Sequence, residues 1–417
     1  MKIEKLRSEK NENRARVAAT ITWEDCARPA QELFFETTEA FARDLSCNPH
    51  AFLIGAIIPA MHYGEKRISI DAEICPELRN GLITAMSFLR HWHYGPERDL
   101  VLIEARTRSA LPAPRTPERA GFFFSGGIDA FATLRANRLG FPLEHPWSIK
   151  DGLLVYGLEV DQPEAFEYVL SSLSAAAGDL GITLIPVYTN LYLDYRQEDT
   201  ASRFSFWTNE FQGAAFSSIA HAFAQRLSVI SLASSSDIPH LYPQGSHPLL
   251  DPYYSSADLR IRHDGIELSR FAKSELISDW DEARRHLRVC NIVKRYQSDM
   301  LNCGRCPKCV LTKLALLALG VLDKTHVFSD QEISPELILK YGWIDGAYTE
   351  SCYRELINPL SDKGYNDLAR AIEIKVTRYR TSQFGWKAKV RKFDNRYLSG
   401  SIGKMKEFIS DKGRISS

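Results

Sequence analysis

The run GFFFSGGIDAFATLRANRLG, residues 121–140, carries three phenylalanines straight into Ser-Gly-Gly-x-Asp and then into a helix-like stretch closed by Gly140. The apolar start predicts a buried strand, and the periodic stretch predicts a helix to about Leu139. Adjacent glycines between them let backbone N–H groups crowd one concavity with no Cβ in the way. The N-terminus of the helix adds partial positive charge there, so a phosphate is the natural occupant. The spacing is too short for G-x-x-x-x-G-K-S/T and lacks G-x-G-x-x-G, which argues against a Walker-type loop and a dinucleotide fingerprint.

Outward from this turn the alternation continues. LLVYGLEV (153–160) precedes the helix-like PEAFEYVLSSLSAAAGDL, ITLIPVY (182–188) follows, and EFQGAAFSSIAHAFAQRL leads to SVISLASS (228–235). Continuous apolar strands alternating with helices predict a doubly wound α/β domain with a parallel sheet over residues 121–289. Upstream, residues 1–107 mix strand-like ARVAATITW, RISIDAEI and LVLIEART with helix-like GLITAMSFLRHW, a small α+β domain. The proline-rich 108–120 reads as its linker. Residues 316–417 read as helical and end in a basic tail: positions 383–417 hold nine Lys or Arg against three acidic groups. That tail is a docking surface or a solvated helix end.

Composition bounds the function classes. The chain has 417 residues, is 44% hydrophobic and 25% charged, and its 52 basic and 52 acidic side chains cancel. A zero net charge gives no reason to propose nucleic acid or an acidic membrane as partner. The most apolar run, AFLIGAIIPAM (51–61), is too short to span a bilayer and reads as a buried helix. The N-terminal stretch is charged throughout and lacks a signal-peptide core, so a cytoplasmic protein is expected.

Cysteines supply the second motif. Cys290, Cys303, Cys306 and Cys309 follow C-x12-C-x2-C-x2-C within residues 290–315. Four thiolates at this spacing suit a closed, structural tetrahedral Zn²⁺ site, with an iron–sulfur cluster as the competitor.

The turn resembles the S-G-G-x-D-S loop of the PP-loop ATP pyrophosphatases. Ser125, Gly126, Gly127 and Asp129 match, with Ile128 between them, and Ala130 stands where the family has serine. Loop and cysteines in this order resemble the cyano-deazaguanine synthases, over roughly residues 120–315. The resemblance implies ATP and Mg²⁺ as cofactors, with Ser125 to Asp129 holding the phosphates. It sets Lys273 of FAKSELI near them. Arg270, three residues earlier on the same helix-like turn, is a second candidate cation, and Asp129 or Asp161, after the second strand, is a candidate Mg²⁺ ligand, directly or through water. Gly157, Leu158 and Glu159 become adenine contacts. Ser234, Ser235 and Asp237 fall at the rim of the substrate pocket, and Asn209 is what remains of a V-P-x-R-N helix start.

The loop YPQGSHPLLDPYYSSADLRIRHDG (242–265) departs from the family. It holds Gly245, Ser246, His247, Asp251, Asp258, His263 and Asp264, with His240 just before it. Loops over the carboxyl edge of such a sheet select substrate, and His247 or Asp251 is a candidate general base. The alternative is an ordered loop with satisfied polar groups.

The resemblance implies an ATP-dependent ligase that adenylates a carboxylate or amide oxygen for attack by ammonia or an amine. The acceptor is a small molecule or a protein terminus. Relatives of the cyano-deazaguanine synthases also occur in bacterial antiviral systems, so the resemblance makes further subunits of a defence or biosynthetic complex candidate partners. An RNA sulfur transferase of the same fold and an ATP-binding scaffold with decayed catalysis are the alternatives.

Overall fold

The computed structural model describes residues 1–11, 13–110, 118–158, 160, 162–201, 205–290, 300 and 302–384. Most of the 108–120 linker and all of the tail from residue 385 lie outside the described residues.

Two compact units make up the chain: residues 1–303 with 324–329, and residues 304–323 with 330–417. The first is α/β. Its elements run β1 (Lys2–Asn11), β2 (Arg14–Thr22), β3 (Gln31–Thr38), α1 (Pro49–Tyr63), β4 (Arg67–Ile74), α2 (Pro76–Leu89) and β5 (Leu102–Thr107). They continue with β6 (Ala120–Phe123), α3 (Ile128–Gly140), β7 (Ile149–Tyr156), α4 (Pro163–Leu180), β8 (Thr183–Thr189), α5 (Leu193–Ala201) and α6 (Gln212–Ala222). The unit closes with β9 (Val229–Ala233), β10 (Arg260–Asp264), α7 (Arg270–Ser278) and α8 (Asp281–His286).

Among the described residues the ten strands form one sheet in the order β10-β9-β6-β7-β8-β3-β2-β1-β4-β5. Segments 1–107 and 121–289, read from the sequence as separate domains, thus share a sheet. β3 joins them by pairing antiparallel with β8, Phe35 opposite Thr189. Pairing from β8 through β10 is parallel throughout. The sheet is therefore mostly parallel, with an antiparallel β1–β2–β3 meander in its middle.

The three phenylalanines show how β6 is covered. Phe124, on one face with Phe122, meets Phe131 of α3 at 5.4 Å between ring centroids, whereas Phe123 meets Phe216 of α6 at 4.6 Å. Successive side chains point to opposite faces of a strand, so α3 and α6 lie on opposite sides of the sheet. Helix α1 joins α6 on its side: the Ser218 hydroxyl donates to the Ala51 carbonyl at 2.7 Å. No helix among the described residues is long and apolar enough to cross a membrane.

Among the described residues the second unit is helical. Its elements are α9 (Pro307–Leu319), α10 (Pro335–Tyr341), α11 (Ala347–Arg354), α12 (Ile357–Asp362) and α13 (Asn366–Phe384). Helix α13 packs against α10, α11 and α12.

Candidate functional site

Within the parallel part, the first strand in the chain (β6) lies between the second (β7) and the fourth (β9). The connection from β6 therefore runs to β7 on one side and the one from β8 returns to β9 on the other, so β6 and β9 flank a switch point, and open α/β sheets bind ligands beyond the carboxyl ends of the strands at such points. Ser125, Gly126 and Gly127 end β6, and Ser234 and Ser235 end β9.

Gly126 has φ 75°, a left-handed conformation that favours glycine, and a Cβ there would stand 2.7 Å from Leu173 Cδ2. Gly127 caps α3 in an extended conformation. The first-turn amides of α3, from Ile128 and Asp129 onward, have no intrahelical acceptor and add to the partial positive charge of the helix end. Ser125 stays exposed and Gly127 half-buried, so the bend is open on its outer side. Its other side is braced: the Arg288 amide donates to the Gly126 carbonyl at 2.7 Å, and Arg288 Nη1 to the Ser125 carbonyl at 3.1 Å.

The structure brings Asp129, Lys273, Arg270 and Ser234 together. Lys273 Nζ, on a side chain 2% exposed, donates to Asp129 Oδ1 at 3.1 Å and to the Ser234 carbonyl at 2.6 Å. Arg270 Nη1 stands 3.6 Å from the other Asp129 oxygen. Helix α7 explains this placement. Ser269 caps it by accepting from the Ala272 amide, and one turn separates Arg270 from Lys273 on the same face. A cation pair thus meets Asp129, in the first turn after the glycine bend, and Lys273 also reaches the residue that follows β9.

The remaining predicted residues are distributed differently. Gly157 has φ 98°, and a Cβ there would meet the Thr189 carbonyl oxygen at 1.8 Å, so close approach of the β8 end requires glycine. Leu158 is buried, and Glu159 and Asp161 lie outside the described residues. Ser235 is exposed, Ser234 is enclosed with its hydroxyl on the Ser236 carbonyl, and Asp237 pairs with His240. Asn209 sits in a π-helical turn, Trp207–Phe211, ahead of α6.

Gly245 packs on that same turn, its amide donating to the Thr208 carbonyl at 2.8 Å. Buried Asp251 accepts from the Ser246 hydroxyl at 2.8 Å, the His247 amide at 3.2 Å and His263 Nδ1 at 2.7 Å. His247 Nδ1 in turn accepts from the Leu249 amide, its ring lies 5.1 Å from Trp92, and burial lowers its pKa. Among the described residues no hydrogen bond or ion pair joins His247 or Asp251 to Asp129, Lys273 or Arg270.

The four cysteines meet. Sγ atoms of Cys290, Cys303, Cys306 and Cys309 all lie within 4.8 Å of one another. Cys290 and Cys303 are 3.6 Å apart and Cys306 and Cys309 are 3.3 Å apart, far beyond a disulfide length. A tetrahedron with Zn–S bonds of about 2.3 Å has edges of about 3.8 Å, so the donor set fits a four-coordinate metal. Cys306 also caps α9, accepting from the Cys309 amide.

Sequence reading missed two supports. Arg288 belongs to no motif. Asn302, fully buried, accepts from the Val289 and Cys290 amides and donates to the Leu287 and Val327 carbonyls, and nothing in its local pattern announces this.

No protein-family model, curated protein or solved structure matches the chain.

One substitution tests the bend. Gly126→Ala combines an unfavourable φ with the Leu173 clash, so a loss of about 1–3 kcal/mol is expected in chemical denaturation. Unchanged stability would mean the turn is not left-handed.

Proposed function

We propose that the protein is an ATP-dependent, adenylate-forming ligase of the PP-loop type. The observation that carries this reading is the pairing of an open glycine bend at a helix N-terminus with the Lys273–Asp129–Arg270 cluster at the switch point of a parallel sheet. The bend and the first-turn amides of α3 suit the pyrophosphate end of ATP. Lys273 and Arg270 suit negative charge developing on the departing pyrophosphate.

In this reading a carboxylate or amide oxygen of the substrate attacks the α-phosphate, and pyrophosphate leaves. Ammonia or an amine then displaces AMP from the adenylate. Both Asp129 oxygens face cations, an arrangement that suits a water-bridged contact to Mg²⁺ rather than a direct one. The cysteine cluster, as a closed zinc site, is structural and takes no part in the chemistry. A sulfur-transferring reading needs a thiol beside the bend, and no cysteine is among the described hydrogen-bond or ion-pair partners of Ser125, Gly126, Gly127 and Asp129.

Calorimetric titration with MgATP, followed by pyrophosphate release across a panel of carboxylic acids, tests the proposal. Heat on titration and acid-dependent release are expected. Heat without release would leave a nucleotide-binding scaffold, and no heat at all would remove ATP from the account.

A further inference from the structure

A second constellation of acid–base groups is built around Glu210, whose side chain is fully buried. Its two carboxylate oxygens face two different donors. Oε1 lies 2.8 Å from His62 Nδ1, and Oε2 accepts from the Tyr94 hydroxyl. His62 Nδ1 is also 3.0 Å from the Tyr94 oxygen. The three side chains come from the last turn of α1, from the π-helical turn Arg90–Tyr94 and from the π-helical turn Trp207–Phe211. Single π turns interrupt helices most often at functional sites. Here two of them converge on one carboxylate.

The chemistry of the donor set fixes the imidazole. A carboxylate only accepts, so His62 Nδ1 carries the proton and the lone pair of the neutral ring is at Nε2. Burial, and then Glu210, raises the Tyr94 pKa, which keeps the phenol a donor. The His62 side chain remains 26% exposed, and no partner of Nε2 occurs among the described residues. An imidazole whose Nδ1–H is held by a buried carboxylate and whose Nε2 is open has the arrangement of a general base.

Topology puts this base at the carboxyl edge of the sheet. Phe216 of α6 packs on Phe123 at the end of β6, two residues before the glycine bend. Glu210 lies six residues ahead of Phe216, about 9 Å further along the helix axis and beyond the strand end. The loop after β9 closes on the same turn through Gly245.

We infer that His62, oriented by Glu210 and Tyr94, is the general base that deprotonates the nucleophile displacing AMP. The inference rests on the adenylation reading above. The ammonium form of the nucleophile passes one N–H proton to His62 Nε2, and a second is lost to solvent as the amide forms. The amine nitrogen forms the new C–N bond, and the bond from carbon to the phosphate oxygen breaks, AMP leaving with its electron pair. His62 is catalytic in this step, and Glu210 and Tyr94 are positioning residues.

The test takes the full chain, MgATP and an acid that supports pyrophosphate release, and compares ammonium chloride with hydroxylamine, which is already unprotonated at neutral pH. In His62→Gln, ammonium-dependent AMP formation is expected to fall about 10²- to 10⁴-fold, and hydroxylamine-dependent formation by less than about tenfold. Tyr94→Phe, which keeps the ring packing, is expected to show the same bias in weaker form. Equal losses with both nucleophiles, or no loss with ammonium, overturn the assignment. Imidazole nitrogen NMR of the unmodified protein gives an independent reading: the Nδ1–H tautomer is expected, and the Nε2–H tautomer overturns it. A wild-type chain that releases no pyrophosphate with any acid overturns the adenylation reading itself, and with it the step given to His62.

Discussion

Replacing Lys273 with methionine is expected to lower pyrophosphate release about 10²- to 10³-fold, the range for losing one preorganised electrostatic donor. Methionine keeps the length of the stem and removes only the charge and its protons. Nζ is nearly fully buried and fixed by two acceptors, Asp129 Oδ1 and the Ser234 carbonyl. It is therefore aimed before any ligand arrives and needs no reorganisation during the reaction. Removal also leaves the Ser234 carbonyl without that donor in a buried setting, a stability loss of about 1–3 kcal/mol. Arg270→Met serves as the comparison. Its guanidinium stands 3.6 Å from Asp129 and is less enclosed, so a smaller loss is expected. Arginine at position 273 is no conservative test, because a planar fork does not fit a space shaped for an ammonium. Pyrophosphate release by Lys273→Met within about threefold of wild type would remove the lysine from the charge-stabilising role.

The centre of the sheet was legible because its strands are buried on both faces and read as unbroken apolar runs. GFFF runs one residue past the end of β6, to the bend, and SVISLASS two residues past the end of β9, through Ser234. Strand β1 was not legible. KIEKLRSEKN looks like a charged terminus, yet its charges are met across strands, Arg7 by Glu32, and Arg16 of β2 by Glu32 and Glu36. Cross-strand ion pairing replaces the apolar alternation that a sequence reading looks for. Strand β10 hid for a related reason. RIRHD has one aliphatic residue, and its polar neighbours are satisfied by Asp251 and by the Arg262–Asp264 pair. Motif residues were found wherever local spacing carries the chemistry, as with Ser-Gly-Gly-x-Asp and the four cysteines. Arg288, Asn302 and the His62–Glu210–Tyr94 set depend on contacts between segments 32 to 163 residues apart or on a single buried amide, and no local pattern encodes those.

If a metal fills the cysteine cluster and a nucleotide the glycine bend, removing the metal should be felt at both. The connection is short and covalent: Cys290 is two residues from Arg288, whose backbone amide holds the Gly126 carbonyl. Asn302 secures the intervening Val289 and Cys290 amides. If the four sulfurs share one Zn²⁺, metal analysis should return one equivalent per chain and no visible-range absorbance. Stripping it with a chelator leaves four sulfurs within 4.8 Å of one another without the ion that held them together. A structural zinc site supplies on the order of 10 kcal/mol of local folding energy. Even a part of that corresponds to a fall in Tm of about 10 °C or more for a unit of this size. Cys290→Ser is the discriminating variant, because it breaks the cluster at the ligand nearest the bend. It should weaken MgATP binding about tenfold or more, roughly 1.4 kcal/mol. Cys309→Ser, on the far side of the cluster in the chain, should lower Tm with a smaller effect on binding. Iron in the metal analysis with visible absorbance would replace zinc by an iron–sulfur cluster. Unchanged nucleotide affinity in Cys290→Ser would show that Arg288 keeps its place without the metal, and would confine the cluster to stability alone.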